Sequence, residues 1–573
     1  MRGQRDSDGR AAPGPTSLPL RWAMLAVVVG VVVATSLVGA SLTSPASAPP
    51  SSPPTFPSVN ASFGGFNGSL LSLYPEFLGV NVRADSPLSP SSATLLNSTD
   101  VRMVRWPGGA IADRFDPLGN GDRGLVYNDS GATQAPATTL AQFVAWCESL
   151  TCEAVITLPA EIGNVPEALA IVNYTEKTLA FHPTFWEMGN EPALWKHFGI
   201  PWSQWNTSQA STPTPSQYSN VVNRFVRAIR SVDDQTGILG LGGVGKGGSG
   251  QASWISSVVG PNGPNLSAVA IHVYPAGTGF PLDDLSAWFG SLSGSASIAS
   301  RVQAADDTLR TTCSSCSISV LVDEFQAGTG LTAAEALSGG FLATYVAAEI
   351  VQALPLPVTS LDYYDYQGGT PGAWLDSQGN PSASLDLYQA LASHLGAYAV
   401  QLNVTSSAEG LLAAVGGPTA TGLESLLLVN TNTSYGFQVN LSRQFSDASA
   451  GSVWLFAGPS SVPTTGALTA TIARNWAIPP TSVAILSGIG SPRYPMNVPR
   501  PPASSGRPIP SRAVPLDRFS LGAFVLVAPY SVTAGPFRTE STRASPRSLK
   551  AEQAPGASHE LLGIWRSKPA GRR

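Results

Sequence analysis

The chain has 573 residues, more than one average domain, and only 12% of them are charged, with a net charge of −5. This balance lacks the basic surface that nucleic acid requires, so it excludes nucleic acid as a partner and favours neutral polymers or small molecules. Abundant Gly (57) and Pro (48) beside 43% hydrophobic residues predict one large domain, one smaller domain and tails.

Residues 1–57 form an N-terminal segment in which an apolar run at 22–42 follows several arginines and precedes a Pro/Ser-rich linker. The run is about as long as a helix that crosses a bilayer, which predicts a single-pass membrane anchor. A signal peptide is the alternative, because Ala-Ser-Ala at 46–48 imitates a cleavage site. With positive charge ahead of the run, either interpretation makes the rest of the chain extracellular or places it at the cell surface.

N-glycosylation sequons are spread through the chain after the apolar run and agree with an extracellular location. They begin at Asn60, Asn67, Asn97, Asn128, Asn173, Asn206, Asn265, Asn403, Asn432 and Asn440.

The four cysteines form two local pairs, Cys147 with Cys152 and Cys313 with Cys316. Such pairs predict short-loop disulfides in an oxidising compartment. Free thiols are the alternative, and for Cys313 and Cys316 a redox motif or a zinc site is another. With five histidines and no larger cluster of ligands, the sequence predicts neither a metal site nor a cofactor.

Eight apolar strand-like runs between residues 76 and 396 alternate with helical patterns. They lie at 76–82, 101–107, 154–159, 184–190, 237–243, 267–275, 318–325 and 358–366. Strands that alternate with helices predict a parallel sheet, and eight of them predict a closed (β/α)₈ TIM barrel of the α/β class. Both cysteine pairs precede strands, so we expect them on the face opposite the strand C-termini.

The pattern changes after the barrel. Residues 397–490 contain short alternating strands with turn signals, which predict a C-terminal antiparallel β-sandwich domain, and residues 58–75 are a candidate extra strand of it. Residues 491–573 are rich in Pro, Ser and Arg and are predicted to be a mostly disordered tail.

Two of the predicted barrel strands end in carboxylates. Strand four ends in Asn190-Glu191, and strand seven ends in Asp323-Glu324. In a barrel, side chains at strand C-termini share the face that carries active sites. Two carboxylates that meet there suit glycosidic cleavage, because one protonates the leaving oxygen and the other attacks the anomeric carbon. We therefore predict that Glu191 is the acid/base and Glu324 the nucleophile.

These motifs resemble the retaining glycoside hydrolases of the (β/α)₈-barrel 4/7 superfamily, also called clan A. The RWPGG at 105–109, followed by Asp113, resembles the second-strand motif of α-L-arabinofuranosidases and of the heparanase and β-glucuronidase family. The HVY at 272–274 resembles the strand-six motif, and NEPALW at 190–195 is most similar to a family of endoglucanases with a trailing β-sandwich.

The resemblance implies roles for the neighbours of the two glutamates. Asn190 would donate its amide to a sugar 2-hydroxyl, and both Arg105 and Tyr274 would hydrogen-bond Glu324. His272 would lie beside the nucleophile, with a strand-end histidine of no direct role as the alternative. Two further acids are expected to be structural, Glu187 as a buried partner of Arg105 and Asp323 beside the nucleophile.

Aromatic residues follow strands four and eight and are candidates for stacking on sugar rings, namely Trp195, Tyr364 and Trp374. Packing within a long loop is the alternative for each tryptophan. The predicted function is an extracellular retaining glycoside hydrolase that acts on a carbohydrate with β-linked or arabinofuranosyl bonds. A non-catalytic cell-surface carbohydrate-binding or structural protein is the alternative. Arg114 and Lys246 are the main cations near the strand ends, a scarcity that favours neutral sugars over uronates.

Overall fold

The computed structural model describes residues 56–127, 133–161, 165–198, 212–244, 250–277, 279–280, 284–328, 339–368, 371–457 and 463–493. The apolar run at 22–42, Lys246, the sequons at Asn128 and Asn206, and nearly all of the tail lie outside these residues. In the described part of the chain, no helix combines the length and the apolar character that a membrane span needs.

The strands are, in chain order, β1 (Ser58–Ser72), β2 (Leu78–Asn81), β3 (Met103–Trp106), β4 (Phe115–Asp116), β5 (Leu125–Tyr127), β6 (Thr133–Gln134), β7 (Glu153–Leu158), β8 (Phe185–Met188), β9 (Gly237–Gly242), β10 (Ala268–Val273), β11 (Ser319–Phe325), β12 (Val358–Tyr363), β13 (Tyr398–Ser406), β14 (Leu411–Gly417), β15 (Ser425–Asn430), β16 (Gly436–Val439), β17 (Ser452–Ala457), β18 (Thr464–Ala467), β19 (Trp476–Ile478) and β20 (Ser482–Ser487).

The helices are α1 (Pro90–Asn97), α2 (Gly119–Asp122), α3 (Leu140–Leu150), α4 (Val165–Asn173), α5 (Pro215–Arg230), α6 (Gln251–Asn262), α7 (Leu285–Gly290), α8 (Ile298–Thr312), α9 (Gly339–Ala353), α10 (Ala383–Ala390), α11 (Leu441–Gln444) and α12 (Ala470–Arg474). The longest of them, α5, begins with a capping box, in which the Thr214 hydroxyl accepts from the Gln217 amide and the Gln217 side chain accepts from the Thr214 amide.

Eight parallel strands close into a barrel in the order β2, β3, β7, β8, β9, β10, β11 and β12. The prediction of a TIM barrel is therefore confirmed, and each predicted strand-like run overlaps one barrel strand. The short strands β4, β5 and β6 form a separate three-stranded sheet after β3.

The barrel interior is packed with apolar side chains, because alternate residues of each strand point inward. This layer consists of Met103, Val155, Phe185, Leu239, Ala268, Ala270 and Leu321. The intervening residues, such as Val104 and Ile156, belong to the larger core formed with the helices. Burial on both faces explains why these strands read as continuous apolar runs. Polar residues lie toward the strand C-termini, above this packed apolar layer.

The C-terminal domain is one continuous, mostly antiparallel sheet of nine strands, in the order β18, β17, β20, β15, β14, β13, β1, β16 and β19. The predicted β-sandwich domain is confirmed as this curled sheet. The strand β1, which precedes the barrel strands in the chain, pairs antiparallel with β13 and parallel with β16.

The central strands β15 and β20 of this sheet are buried on both faces. On β15, Leu427 and Val429 join the core that contains the barrel, whereas Leu426 and Leu428 join a second core inside the curled sheet. The alternation follows the two-residue period of a strand. One contiguous core therefore links the sheet to the barrel.

The two cysteine pairs differ. Cys313 and Cys316 form a disulfide between α8 and β11. Cys147 and Cys152 are free thiols, so the predicted disulfide between them is absent from this structure. The end of α3 is already closed by Thr151 in a left-handed conformation and by the Cys152 amide, which donates to the Cys147 carbonyl at 3.0 Å. Burial also raises the pKa of the Cys147 thiol, which keeps it protonated and slow to react.

Candidate active site

The polar residues at the C-terminal ends of the barrel strands surround one buried guanidinium, that of Arg105 at the end of β3. Its Nε and Nη2 donate to the two oxygens of Glu187 at 2.7 and 2.9 Å. Its Nη1 donates to Glu324 Oε1 at 2.7 Å and to Asn81 Oδ1 at 2.9 Å, and its Nη2 also donates to Asn190 Oδ1 at 2.8 Å. Arg105 thus fixes side chains from β2, β8 and β11 relative to one another, and Glu187 is its buried partner.

Glu324 has a second fixed partner. The Tyr274 hydroxyl donates to its Oε2 at 2.7 Å, while Arg105 holds Oε1. Burial raises the pKa of Glu324 above its usual value, and the positive charges of His272 and Arg105 oppose this rise. Hydrogen bonds at both oxygens leave the carboxylate a single orientation, as a nucleophile requires.

His272 joins the two predicted catalytic carboxylates. Its Nδ1 lies 3.1 Å from Glu191 Oε1 and 3.2 Å from Glu324 Oε2, so these two oxygens are at most 6.3 Å apart. Its Nε2 lies 3.3 Å from Asp323 Oδ1. Burial works against a charge on the imidazole, but the carboxylates of Glu324 and Asp323 outweigh it and raise the pKa of His272 well above its usual value. His272 thus lies between Glu191 and Glu324, within ion-pair distance of both.

Two further buried acids, Glu187 and Asp323, lie against Arg105 behind the two catalytic candidates. Burial raises the pKa of Glu187 to about 8, against the opposing charge of Arg105. Asp323 is equally buried, but the charges of Arg105 and His272 hold its pKa below its usual value. The Asp323 carboxyl lies between these two side chains, 3.3 Å from Arg105 Nε and 3.3 Å from His272 Nε2.

Glu191 follows β8 in a turn of unusual backbone geometry. Its φ is +38°, a left-handed conformation that costs energy in a residue with a side chain. Its amide donates to the Gly242 carbonyl at the end of β9, at 2.6 Å. The Glu191 side chain is 14% exposed, compared with 5% for Glu324. Glu191 is thus the carboxyl that faces solvent.

Asn190 is fully buried, with its Oδ1 occupied by Arg105. Its Nδ2 has no hydrogen-bond partner within the described ranges of the chain. The amide is thus held by its oxygen, and its Nδ2 lies in the interior, where Asp113 is its neighbour.

Tyr364, after β12, completes the ring of polar groups near the nucleophile. Its ring centre lies 6.4 Å from that of Tyr274, and its hydroxyl accepts from Arg83 Nη1 at 3.2 Å. Gly109 leaves room for it, because a side chain there would collide with the Tyr364 hydroxyl. Arg83 itself forms a two-pronged ion pair with Asp85, at 2.8 and 2.6 Å. The sequence analysis did not assign Arg83, although it follows the first barrel strand closely.

Two predicted stacking residues are in fact core residues. Trp195 is only 2% exposed, and its Nε1 donates to the Asn190 carbonyl at 2.7 Å. Trp374 has no exposed surface and packs against Tyr363 and Tyr388, with ring centres 6.2 and 4.7 Å apart. The prediction that these tryptophans stack on sugar rings is therefore wrong for this structure, because their faces are already covered by protein.

Two buried acids that the sequence analysis left without a role lie close to the acid/base turn. Asp113 ends the 3₁₀ helix Gly109–Arg114 after β3, and its Oδ1 accepts from the Asn190 amide at 3.1 Å. Glu161 follows β7, and burial together with the charge of Asp113 raises its pKa to about 10. The position of Asp113 just after RWPGG is the sequence signal that points to it.

Comparison with known proteins gives the fold a precedent. No protein-family model matches the chain, and no curated protein matches its sequence. Solved structures do match. A family 51 α-L-arabinofuranosidase from Bifidobacterium longum is 14% identical, with 76% of this chain and 99% of that chain covered and a TM-score of 0.58. The chain shares the fold of this structure.

Two further structures agree. The family 51 arabinofuranosidase from Xanthomonas axonopodis pv. citri is 15% identical, with 75% of this chain and 99% of that chain covered and a TM-score of 0.55. A family 44 xyloglucanase from Paenibacillus polymyxa is 11% identical, with the same coverage and a TM-score of 0.54. The predicted resemblance to a barrel-plus-sandwich superfamily is thus confirmed at the level of the fold.

Proposed function

We propose that the chain is an extracellular retaining glycoside hydrolase that cleaves β-linked or arabinofuranosyl bonds by double displacement. The observation that carries this proposal is the approach of Glu191 and Glu324 to the same nitrogen of His272, which limits their nearest oxygens to 6.3 Å. Retaining enzymes separate their carboxyl groups by roughly 5–5.5 Å, whereas inverting enzymes need roughly 6.5–9.5 Å to admit a water.

In the first step, Glu324 attacks the anomeric carbon while Glu191 gives its proton to the leaving oxygen, so that the glycosidic bond breaks and an ester to Glu324 forms. In the second step, Glu191 takes a proton from water, which attacks the same carbon and releases Glu324. The two carboxyls interact electrostatically. Esterification removes the charge of Glu324 and so favours Glu191 as a base in the second step.

The charges around the site favour a neutral sugar. Arg83 is already paired with Asp85, and Arg114 interacts with the buried carboxyl of Glu161. A uronate would compete with these carboxylates for either cation.

The extracellular location rests on the sequence and on one covalent feature. The apolar segment 22–42 and the linker precede β1. The disulfide between Cys313 and Cys316 suits an oxidising compartment.

A panel of aryl glycosides assayed at several pH values tests the function. We expect Glu324→Gln and Glu191→Ala each to lose at least about 100-fold in kcat on unactivated substrates, because each removes an obligatory group. Azide should restore turnover of an activated glycoside by Glu191→Ala, since it attacks the ester without a base. Glu349→Gln, which changes a buried carboxyl on α9, is the control and should remain active.

Full activity in either site variant would reject the proposal that the chain is a glycoside hydrolase. Glycan binding without cleavage, unaffected by both substitutions, would support the non-catalytic alternative.

A further inference from the structure

The turn that carries Glu191 needs outside support. Both Gly189, with φ of +73°, and Glu191, with φ of +38°, have left-handed backbone conformations. Only glycine adopts this region without strain, so Glu191 remains there only if its surroundings hold it. The acid/base carboxyl is therefore aimed by contacts made to the turn and not by an intrinsic preference of the chain.

Two contacts hold successive amides of this turn from opposite sides. The Glu191 amide donates to the Gly242 carbonyl at 2.6 Å. The Asn190 amide donates to Asp113 Oδ1 at 3.1 Å. The first contact is made by the backbone of the neighbouring strand, whereas the second depends on one side chain.

A third contact closes a small network. Trp195 Nε1 donates to the same Asp113 Oδ1 at 3.1 Å and to the Asn190 carbonyl at 2.7 Å. Both the N–H and the C=O of Asn190 are thus tied to Asp113 or to Trp195. The indole of Trp195 also meets the ring of Tyr218 edge-on at 5.6 Å, which fixes it against α5.

Asp113 has no exposed surface and therefore no access to a substrate. Asp113 can act on the reaction only through Asn190 and the adjoining Glu191. Glu191 Oε1 in turn lies 3.1 Å from His272 Nδ1. Burial raises the pKa of Asp113 well above its usual value, and the charge of Glu191 adds to the rise.

We infer that Asp113 is a positioning residue for the acid/base: its Oδ1 ties the Asn190 amide and the Trp195 indole into a network that aims the Glu191 carboxyl at the leaving oxygen. This inference rests on the proposed function. Because an asparagine keeps the acceptor oxygen and a leucine of similar size does not, the two substitutions separate this role from simple filling of space.

The test compares two aryl glycosides of one sugar. A 2,4-dinitrophenolate leaves without protonation, whereas a phenolate needs the acid. We expect Asp113→Leu to lower kcat/KM for the phenyl glycoside roughly 100-fold, the cost of a catalytic group misplaced by about 1 Å, and to change the dinitrophenyl value by less than about 3-fold. Asp113→Asn should stay within about 3-fold of the wild type on both substrates, because the acceptor remains.

Trp195→Phe keeps the ring but removes the donor, so we expect the same selective loss on the phenyl glycoside, about 10-fold. If thermal melting shows that Asp113→Leu is unfolded, the result for Trp195→Phe tests the positioning role in its place. An equal loss on both substrates, or no loss at all, would overturn the positioning role. The proposed function would still stand, because the wild type would remain active. A wild type inactive on both glycosides would instead reject the proposed function and the inference with it.

Discussion

At the scale of single residues, the site depends on one guanidinium that is surrounded by several carboxyl groups. Arg105 contacts Glu187 and Glu324 directly and lies 3.3 Å from Asp323. A buried cation is tolerated only when its N–H groups are all used, and here they are shared among carboxylates and amides. The negative charges in turn raise the pKa of Arg105 against the effect of burial. Arg105 therefore sets the geometry of the Glu324 carboxyl.

Tyr274→Phe tests the orientation and charge of Glu324. The substitution removes the donor to Glu324 Oε2, and we expect kcat/KM to fall by about 10- to 100-fold, the value of a hydrogen bond to a charged group. Because the lost donor stabilised the ionised form, the pKa of Glu324 should rise further. The acidic limb of kcat/KM against pH, which reports ionisation of the nucleophile, should then move to higher pH. An unchanged profile would show that Tyr274 does not act on Glu324.

The sequence identified most of the residues that meet at the site, but not how each side chain points. Strand-end position predicted Glu191 and Glu324 as neighbours, because the C-termini of barrel strands share one face, and the family resemblance added Arg105 and His272. Proximity in sequence was misleading for Trp195. It follows the acid/base closely, yet it packs beneath the turn because its indole caps the Asn190 carbonyl. Only tertiary contacts distinguish these two orientations.

At the scale of elements, the hydrophobic pattern predicted the barrel strands because both faces of these strands are buried. The run 318–325 corresponds to β11 (Ser319–Phe325), and the run 101–107 contains β3 (Met103–Trp106). The strands β4 and β6 were not predicted, because two residues each are too few to establish a period.

Glu176, in the π-helical turn Tyr174–Thr178 after α4, forms an acid pair with Asp233 that links stability to pH. Glu176 lies beside Asp233, which also accepts from Trp186 Nε1 at 3.1 Å. Burial, followed by the hydrogen bond and charge of Asp233, raises the pKa of Glu176 from 4.5 to about 7. The folded state therefore favours protonated Glu176. The stability that this proton contributes is complete below pH 4.5 and is lost as the pH rises through about 7.

Glu176→Gln should remove this pH dependence, because the amide stays neutral and still offers a donor to Asp233. Near pH 8 we expect the variant to be more stable than the wild type by about 1 kcal/mol, a value reduced for solvent screening. The advantage should fade as the pH drops toward 4.5. Denaturant unfolding at several pH values measures it, with Glu148→Gln on the exposed side of α3 as the control. A constant difference between variant and wild type would contradict the account.

At the scale of the whole molecule, the barrel and the nine-stranded sheet share a core. Val429 and Ile485 of the sheet belong to the same hydrophobic cluster as the barrel residues, and β1 enters the sheet before the chain enters the barrel. The sequence predicted two domains from a change of pattern near residue 397. It gave no sign that the outer face of the sheet is also buried, because this requires knowing what packs against it.

We expect the two domains to unfold together. Ile485→Ala leaves a cavity in the shared core and should lower the unfolding free energy by about 2–4 kcal/mol. Calorimetry should still show a single transition, now at lower temperature, and glycosidase activity should vanish across the same range. Two separated transitions, with activity following only the upper one, would show that the sheet is independent of the barrel.

The most direct test of the central claim is the stereochemistry of the product. Proton NMR of a glycoside during the first minutes of cleavage resolves the anomer that forms before mutarotation. The separation of Glu191 from Glu324 predicts that the product first appears with the anomeric configuration of the substrate. A product that first appears with the opposite configuration would show that water attacks directly, and would contradict a nucleophilic Glu324.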